Sequence, residues 1–345
     1  MSYTKGIVLS AMRPTGGLHI GHFEGVLRNW KLLQEEYQCF YFVADWHALT
    51  TDLDTLHLKK NTFDMIKDWL AFGIDPSKST IFIQSYVPQH AELNIALERL
   101  INVGALERVP TYKAQLEHLV SSRQSRDRDH TALEEIAKSE VSLGFLAYPV
   151  LQAADILLYN STHVPVGEDQ LPHIELTREI ARKFNRRYGD VFVIPEALLG
   201  EVKLIRGCDG KKMSKSYNND ISPSFDEGAI FARVKQTITQ RKTLNQKGDP
   251  YECPVYDLHR IYNKDGEITV NIGCREATIP CFECKKIIPP LIVAAYEEFR
   301  EKRAQIIDDF VIDVIKEGNK RAREIASNTI EKVRSHMLMD YLGGK

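Results

Sequence analysis

The chain has 345 residues, 43% apolar and 27% charged, which excludes a disordered, collagenous or low-complexity protein. Lys plus Arg number 45 against 47 Asp plus Glu, so the formal charge of −2 shows no basic excess of the kind that marks many nucleic-acid partners, although a local patch is not excluded. No apolar run approaches the roughly 20 residues that cross a bilayer, and the start MSYTKGIVLS is too poor in apolar residues for a secretory signal, so a soluble, cytoplasmic protein with no membrane partner is expected.

GIVLS (6–10) is a short apolar run that predicts a first strand, and a Gly-rich turn leads from it into a helix carrying Phe23, Val26, Leu27, Trp30 and Leu33. CFYFVAD (39–45) predicts the second strand. Residues 54–74 follow with Phe63, Ile66, Leu70 and Gly73 at helical spacing and Asp75-Pro76 as the stop. TIFIQS (80–85) predicts a third strand and 91–104 another amphipathic helix. From about 112 to 132 the chain turns polar, and SSRQSRDRDHT predicts an exposed loop. Apolar structure returns over 141–160, then the brief strand THVPV, a helix from Gln170 to about Phe184, and a last short strand KLIRG (203–207). Strands alternating with helices of this length predict an α/β fold, a parallel sheet with crossover helices. After Phe225 strand signals thin and 290–342 is helical in pattern. The expected division is 1–225 and 226–345, the last helix being free to pack back on the first part.

Two strings carry chemistry. RPTGGLHIGH (13–22) lies between the first strand and the first helix, where adjacent glycines let the backbone approach a ligand and the helix start offers unpaired N–H groups to phosphate. His19 and His22 stand three apart on this turn. About 190 residues downstream, KKMSKS (211–216) places Lys212 and Lys215 in a loop beside Gly210, and mobile ammonium groups suit a leaving pyrophosphate whose charge grows in the transition state. Either string alone is weak; together they make a plain turn and a solvated lysine loop poor explanations.

With both strings present, the chain resembles the class I aminoacyl-tRNA synthetases, which carry HIGH and KMSKS elements on a Rossmann-like fold. AADILLYN (153–160), VPVGEDQ (164–170) and PHIELTREIA look like the bacterial tryptophanyl branch of that class, and KRAREIA (320–326) extends the likeness more loosely. The resemblance implies a Rossmann-like catalytic domain over 1–225 and a mainly helical anticodon-binding domain over 226–345. It implies ATP, with Mg²⁺, and tryptophan as substrates, tRNA(Trp) as partner, and a homodimer. His19, His22, Lys212 and Lys215 would then be catalytic. ATP would be held by Arg13, Pro14, Thr15, Gly21 and His22, by Gly167, Glu168 and Asp169 at the ribose, by Leu204 or Ile205 at the adenine, and by Lys212, Met213, Ser214, Lys215 and Ser216 at the pyrophosphate.

For the amino acid, the resemblance points to Asp155, Tyr148, Gln170, His47 and Gln152. Trp has an indole N–H that donates and cannot accept, so a buried carboxylate would reward it and stay unpaired with Phe. Asp155 matches that position, Tyr148 and Gln170 match those holding the α-ammonium, and Gln152 stands where many relatives have Met. His47 falls at the end of the second strand, where α/β folds place ligands.

Cys39 and Cys208 stand alone, whereas Cys253, Cys274, Cys281 and Cys284 form a C-x20-C-x6-C-x2-C set in a stretch that predicts loops. In a reduced compartment this set reads as metal binding before disulfides, as zinc or an iron–sulfur cluster. A subgroup of the tryptophanyl branch carries a 4Fe-4S cluster on similar cysteines, so the resemblance implies that cluster, with zinc as the alternative. Arg241, Lys242, Lys247, Lys285 and Lys286 flank the set as a candidate RNA-facing patch. Two other enzymes stay open from residues alone: a nucleotidylyltransferase with an H-x-G-H turn, and the tyrosyl member of the class.

Overall fold

The computed structural model describes residues 5–50, 53–122, 138–200 and 205–342. Five parallel strands, β1 (Ile7–Met12), β2 (Gln38–Val43), β3 (Ser79–Ile83), β4 (His163–Val166) and β5 (Glu196–Leu199), form one sheet in the order β3-β2-β1-β4-β5. In-register pairs such as Leu9 with Phe40 and Phe40 with Thr80 tie the first three strands together. Strand order reverses at β1, so the crevice between the carboxyl ends of β1 and β4 is where ligands bind in open parallel sheets.

Successive residues along a strand face opposite sides, and here both sides are covered. Val8, Cys39, Tyr41, Val43, Ile81 and Ile83 enter one apolar core, while Leu9, Phe40, Phe42 and Phe82 enter the other. The first core is closed by Trp30 and Trp69 and by residues after 225, among them Ile230, Leu258, Ile288 and Tyr296. Helices Gln89–Glu98, Leu143–Leu158 and Leu171–Tyr188 close the second.

The last helix, Asp308–His336, serves both cores, Val311 and Ile315 in one, Ala322 and Ala326 in the other. It lies along β3, the open edge of the sheet. A Cβ at Gly318 would overlap the Ile81 carbonyl, so only glycine allows this approach, and Asn319 Oδ1 accepts the Ile83 N–H at 3.0 Å. A strand edge that would otherwise present free backbone groups is thereby covered.

Several expectations need correction. The fifth strand is Glu196–Leu199, not KLIRG: Lys203 and Leu204 lie outside the described residues, and Arg206 makes only an isolated bridge with Lys212. The polar stretch begins as a helix, Pro110–Ser122, whose Tyr112, Leu116 and Val120 are buried at four-residue spacing against Val141 and Phe145. Residues 123–132 of that expected loop lie outside the described residues. The helix expected over 91–104 stops at Glu98, and Val103–Leu106 forms a separate turn capped by Asn102. Among the described residues no helix is long and apolar enough to cross a membrane.

Candidate functional site: two adjoining cavities

The HIGH string folds as an extended His19 leading into the helical turn Ile20–His22, a π-helical turn Phe23–Leu27 and the helix Arg28–Leu33. The two imidazoles lie face near face, centroids 3.8 Å apart, and the His19 backbone N–H donates to His22 Nδ1 at 3.3 Å. Burial, reinforced by Lys215 and Lys212, lowers His19 to about 4 against a weaker upward pull from Asp220. His22 falls to about 3 through burial, then His19 and the same lysines. Both rings are therefore neutral at pH 7, and each offers one N–H to an incoming anion. His19 Nδ1 is buried with no partner among the described residues. A Cβ at Gly21 would stand 2.9 Å from the His19 ring, so glycine here keeps that ring in place.

The KMSKS string meets this turn despite the sequence distance. A Cβ at Gly17 would lie 2.9 Å from Lys215 Nζ, and the Ile20 N–H donates to the Ile221 carbonyl at 2.9 Å. Met213 is buried, Lys212 and Lys215 are exposed, and Lys215–Tyr217, which includes Ser216, is one tight turn ending at Asn218 with φ 50°. The loop is shaped by a residue no motif pointed to. Asn219 is buried, its Oδ1 accepts the Ser214 N–H at 2.7 Å, and its Nδ2 donates to Asp209 at 2.7 Å and to the Lys212 carbonyl at 3.2 Å.

A cavity of about 730 Å³ opens between the two strings. His19, Gly21, His22, Lys212 and Met213 line one side, Gly167, Glu168, Asp169 and Ile205 the other. Lys212 Nζ faces Asp169 Oδ2 at 3.6 Å across the mouth. Of the two residues expected at the adenine, Ile205 is buried in this wall, and Leu204 lies outside the described residues. Arg13 and Thr15 are exposed on the turn after β1 with Pro14 buried between them; Arg13 borders the second cavity instead. Ser214 is half-buried beside Met213.

The second cavity, about 530 Å³, shares Val26, Pro165, Val166 and Gly167 with the first. His47, Tyr148, Gln152, Asp155 and Gln170 all line it, so the five residues expected at one pocket come together from three separate stretches. Asp155 lies in the Leu143–Leu158 helix and is 2% exposed. It accepts from His47 Nε2 at 2.8 Å, His90 Nδ1 at 2.7 Å and Gln84 Nε2 at 2.9 and 3.0 Å. Burial opposes its ionisation, and the hydrogen bonds from His47 and His90 outweigh it, so the carboxyl is held below its usual range. Tyr148 Oη meets Thr111 Oγ1 at 2.5 Å and His173 Nε2 at 3.2 Å. Gln170 follows the turn after β4 and donates to Asp169 at 3.1 Å.

Gln84, His90, Thr111, Tyr159 and His173 were missed from sequence. Gln84 had a signal, since it follows β3 directly and strand ends point at ligands. Tyr159 and His173 stand inside the AADILLYN and PHIELTREIA strings, whereas His90 and Thr111 had no signal.

The four clustered cysteines form one neighbourhood. Burial, then Cys253, Cys281 and Cys274, pushes the Cys284 thiol up to about 12, and burial followed by Cys253 raises Cys274. His259 Nε2 lies 3.2 Å from Cys284 Sγ. The expected loop is instead helix, for Cys281 and Cys284 occupy the first turn of Cys281–Ala295. Among the described residues no group of three or more His, Cys, Asp or Glu stands in a metal-holding arrangement. The flanking basic patch is thinner than expected: Arg241 is buried and donates to the Ile279 and Leu244 carbonyls, and Lys285 donates to the Lys235 and Thr237 carbonyls.

A parallel sheet with two phosphate-suited strings at its switch point, and a second cavity beside them, defines a class I synthetase type of nucleotide fold. The family profile described as "tRNA synthetases class I (W and Y)" matches residues 2–269, and the chain belongs to that family. Tryptophan–tRNA ligase of Thermotoga maritima is 46% identical over 338 residues, covering 96% of this chain and 98% of that protein. Its counterpart from Aquifex aeolicus is 40% identical, covering 96% and 99%. Among solved structures, tryptophanyl-tRNA synthetase from Campylobacter jejuni complexed with ADP and tryptophan superposes with TM-score 0.79 at 31% identity, covering 96% and 99% of the two chains. A tyrosyl-tRNA synthetase from Archaeoglobus fulgidus, TM-score 0.64 and 18% identical, shares the fold.

Proposed function

We propose that the chain is a tryptophan–tRNA ligase. It activates L-tryptophan with ATP to tryptophanyl-adenylate and transfers the aminoacyl group to tRNA(Trp) in the cytoplasm. The observation that carries this reading is the ionised, buried Asp155 in a cavity that adjoins the HIGH–KMSKS cavity. A nucleotidylyltransferase also needs an acceptor site beside its ATP, so the family profile over residues 2–269 argues against that reading, and the relatives over nearly the whole chain favour tryptophan over tyrosine.

ATP occupies the larger cavity, with Gly167, Glu168 and Asp169 at the ribose and Ile205 at the base. His19 and His22 donate neutral N–H groups to the phosphates, and the turn of Arg13, Pro14 and Thr15 reaches over the triphosphate from the side of the smaller cavity, which Arg13 borders. Mg²⁺ enters with ATP as part of the substrate. Tryptophan occupies the smaller cavity, its α-ammonium at Tyr148 and Gln170, with Gln152 as one wall. Asp155 already accepts four contacts, close to the capacity of a carboxylate, so the indole N–H takes the place of one donor. His47 is the donor that lines the cavity, and it is the one that yields.

The tryptophan carboxylate then attacks the α-phosphorus of ATP, the bond to the β-phosphate bridging oxygen breaks, and pyrophosphate departs. Lys212 and Lys215 neutralise the charge that grows on it. A hydroxyl of the terminal tRNA adenosine attacks the mixed anhydride at its carbonyl and AMP leaves. No protein nucleophile is needed, and positioning with charge stabilisation carries the rate.

Residues 226–345 are assigned to the tRNA anticodon, with 1–225 as the catalytic part. The four thiols supply the soft sulfur donors that a 4Fe-4S centre or zinc takes, and they are electrostatic neighbours, but their side chains do not converge on one point as a ligand set does. Held by Cys253, Cys274, Cys281 and Cys284, such a group would tie the helices after 250 together, away from the residues assigned to adenylate formation. A homodimer follows from the family resemblance, with Tyr86, Ile95 and Val103 as exposed apolar residues available to it. Tryptophan-dependent exchange of pyrophosphate into ATP tests the reading, and its absence would overturn it.

A further inference from the structure

Behind Asp155 lies a side chain that the reaction as described does not use. His90 is fully buried, does not line the cavity, and sits among the rings of Phe42, Phe82 and Tyr159, with centroids 5.8, 6.0 and 5.5 Å away. Among the described residues its ring makes two polar contacts: Nδ1 to Asp155 Oδ1 at 2.7 Å, and Nε2 to Tyr159 Oη at 2.9 Å. An ionised carboxylate only accepts, so Nδ1 carries the proton facing it. When the ring carries only that proton, Nε2 is a lone pair, which accepts from the Tyr159 hydroxyl. Burial, together with the nearby Asp155 charge, keeps the Tyr159 phenol well above its usual pKa, so the hydroxyl keeps its proton. Every proton in the chain then has one direction.

Gln84 points the same way. Its Nε2 bridges both Asp155 oxygens, while its Oε1 is buried with no hydrogen-bond partner among the described residues. Turning the amide would set Oε1 against the carboxylate, so the donor orientation is kept although an acceptor goes unpaired.

We propose that His90 is a positioning residue for amino-acid selection: the chain Tyr159–His90–Asp155 fixes the ionised carboxylate from behind, so that the indole N–H can exchange with His47 in front without Asp155 turning or taking up a proton. The inference rests on reading the smaller cavity as the tryptophan site. A group that served only packing would not need this polarity.

The test compares tryptophan with its benzothiophene isostere, which has sulfur in place of the indole N–H, in pyrophosphate exchange. His90→Leu should lower the ratio of the two kcat/KM values by about tenfold, mainly through KM for tryptophan, with KM for ATP unchanged. It should also raise the pH below which tryptophan binding weakens. His90→Asn, which keeps a donor near the Nδ1 position, should restore most of the ratio. A folded His90→Leu enzyme with the wild-type ratio and pH profile would overturn the inference. If His90→Leu does not fold, Tyr159→Phe decides: it removes only the hydroxyl, and the same ratio must fall, an unchanged ratio overturning the proposal. A wild-type enzyme that does not distinguish tryptophan from the isostere would instead overturn the reading of the cavity.

Discussion

A carboxylate sealed from water costs several kcal/mol unless donors offset the loss. Asp155 has three such partners, and one of them, His47, borders open space. This geometry turns burial into selectivity, because an aromatic amino acid without an N–H would displace a donor and return none. Asp155→Asn should therefore relax the choice of tryptophan over phenylalanine by about 1.5–3 kcal/mol while leaving ATP binding nearly unchanged. Activation rates with the two amino acids measure this, and an unchanged ratio would remove Asp155 from selection. The residue types needed for this pocket were legible in the string around Asp155. Of the partners behind it, Gln84 showed only its place at the end of β3 and His90 showed nothing, since both lie in other elements and become neighbours of Asp155 only through folding.

At the scale of elements, the KMSKS loop works because it is held in place. Asn219 bonds three points of the loop, and the backbone contact from Ile20 to Ile221 sets it against the HIGH turn. The two lysines can then reach the leaving group with little reorganisation. Lys212→Ala and Lys215→Ala should slow adenylate formation by about 10- to 1000-fold with little change in tryptophan affinity, as removal of a group felt mainly in the transition state does. Single-turnover activation at normal speed in both variants would contradict the role. Strands β1 to β3 were legible as runs of β-formers buried on both faces. By contrast, β5 is a four-residue edge strand with exposed Glu196 and Leu199, and its sequence EALL favours helix in isolation. The Pro110–Ser122 helix was hidden by polar residues such as Lys113 and Glu117 between its three buried positions.

For the whole molecule, the buried imidazoles of the HIGH turn link stability to pH. Below about pH 6.5 the unfolded chain binds protons on His19 and His22, whereas the folded chain resists until about 4 and about 3. Their contribution to stability is fully present above pH 6.5 and falls as pH drops through that window, by up to about 1.4 kcal/mol per pH unit for each ring. Urea midpoints between pH 7.5 and 5 should fall, and His19→Asn should flatten the slope. An unaltered slope in that variant would show that His19 is not the titrating group. At the far end, Cys281→Ser should lower tRNA charging and local stability but spare pyrophosphate exchange, since the thiols lie after every residue assigned to ATP or tryptophan. Anaerobically purified wild-type protein should be brown and contain iron and sulfide. Colourless protein with one zinc would exclude the cluster, and metal-free, fully active protein would exclude both.

If the two adjoining cavities hold ATP and tryptophan side by side, the amino acid supplied decides whether ATP reacts. Exchange of labelled pyrophosphate into ATP by the purified chain, with tryptophan, tyrosine or phenylalanine supplied one at a time, addresses it most directly. Exchange should depend on tryptophan and on Mg²⁺, with tyrosine and phenylalanine at background. Exchange driven by tyrosine, or proceeding without any amino acid, would contradict it.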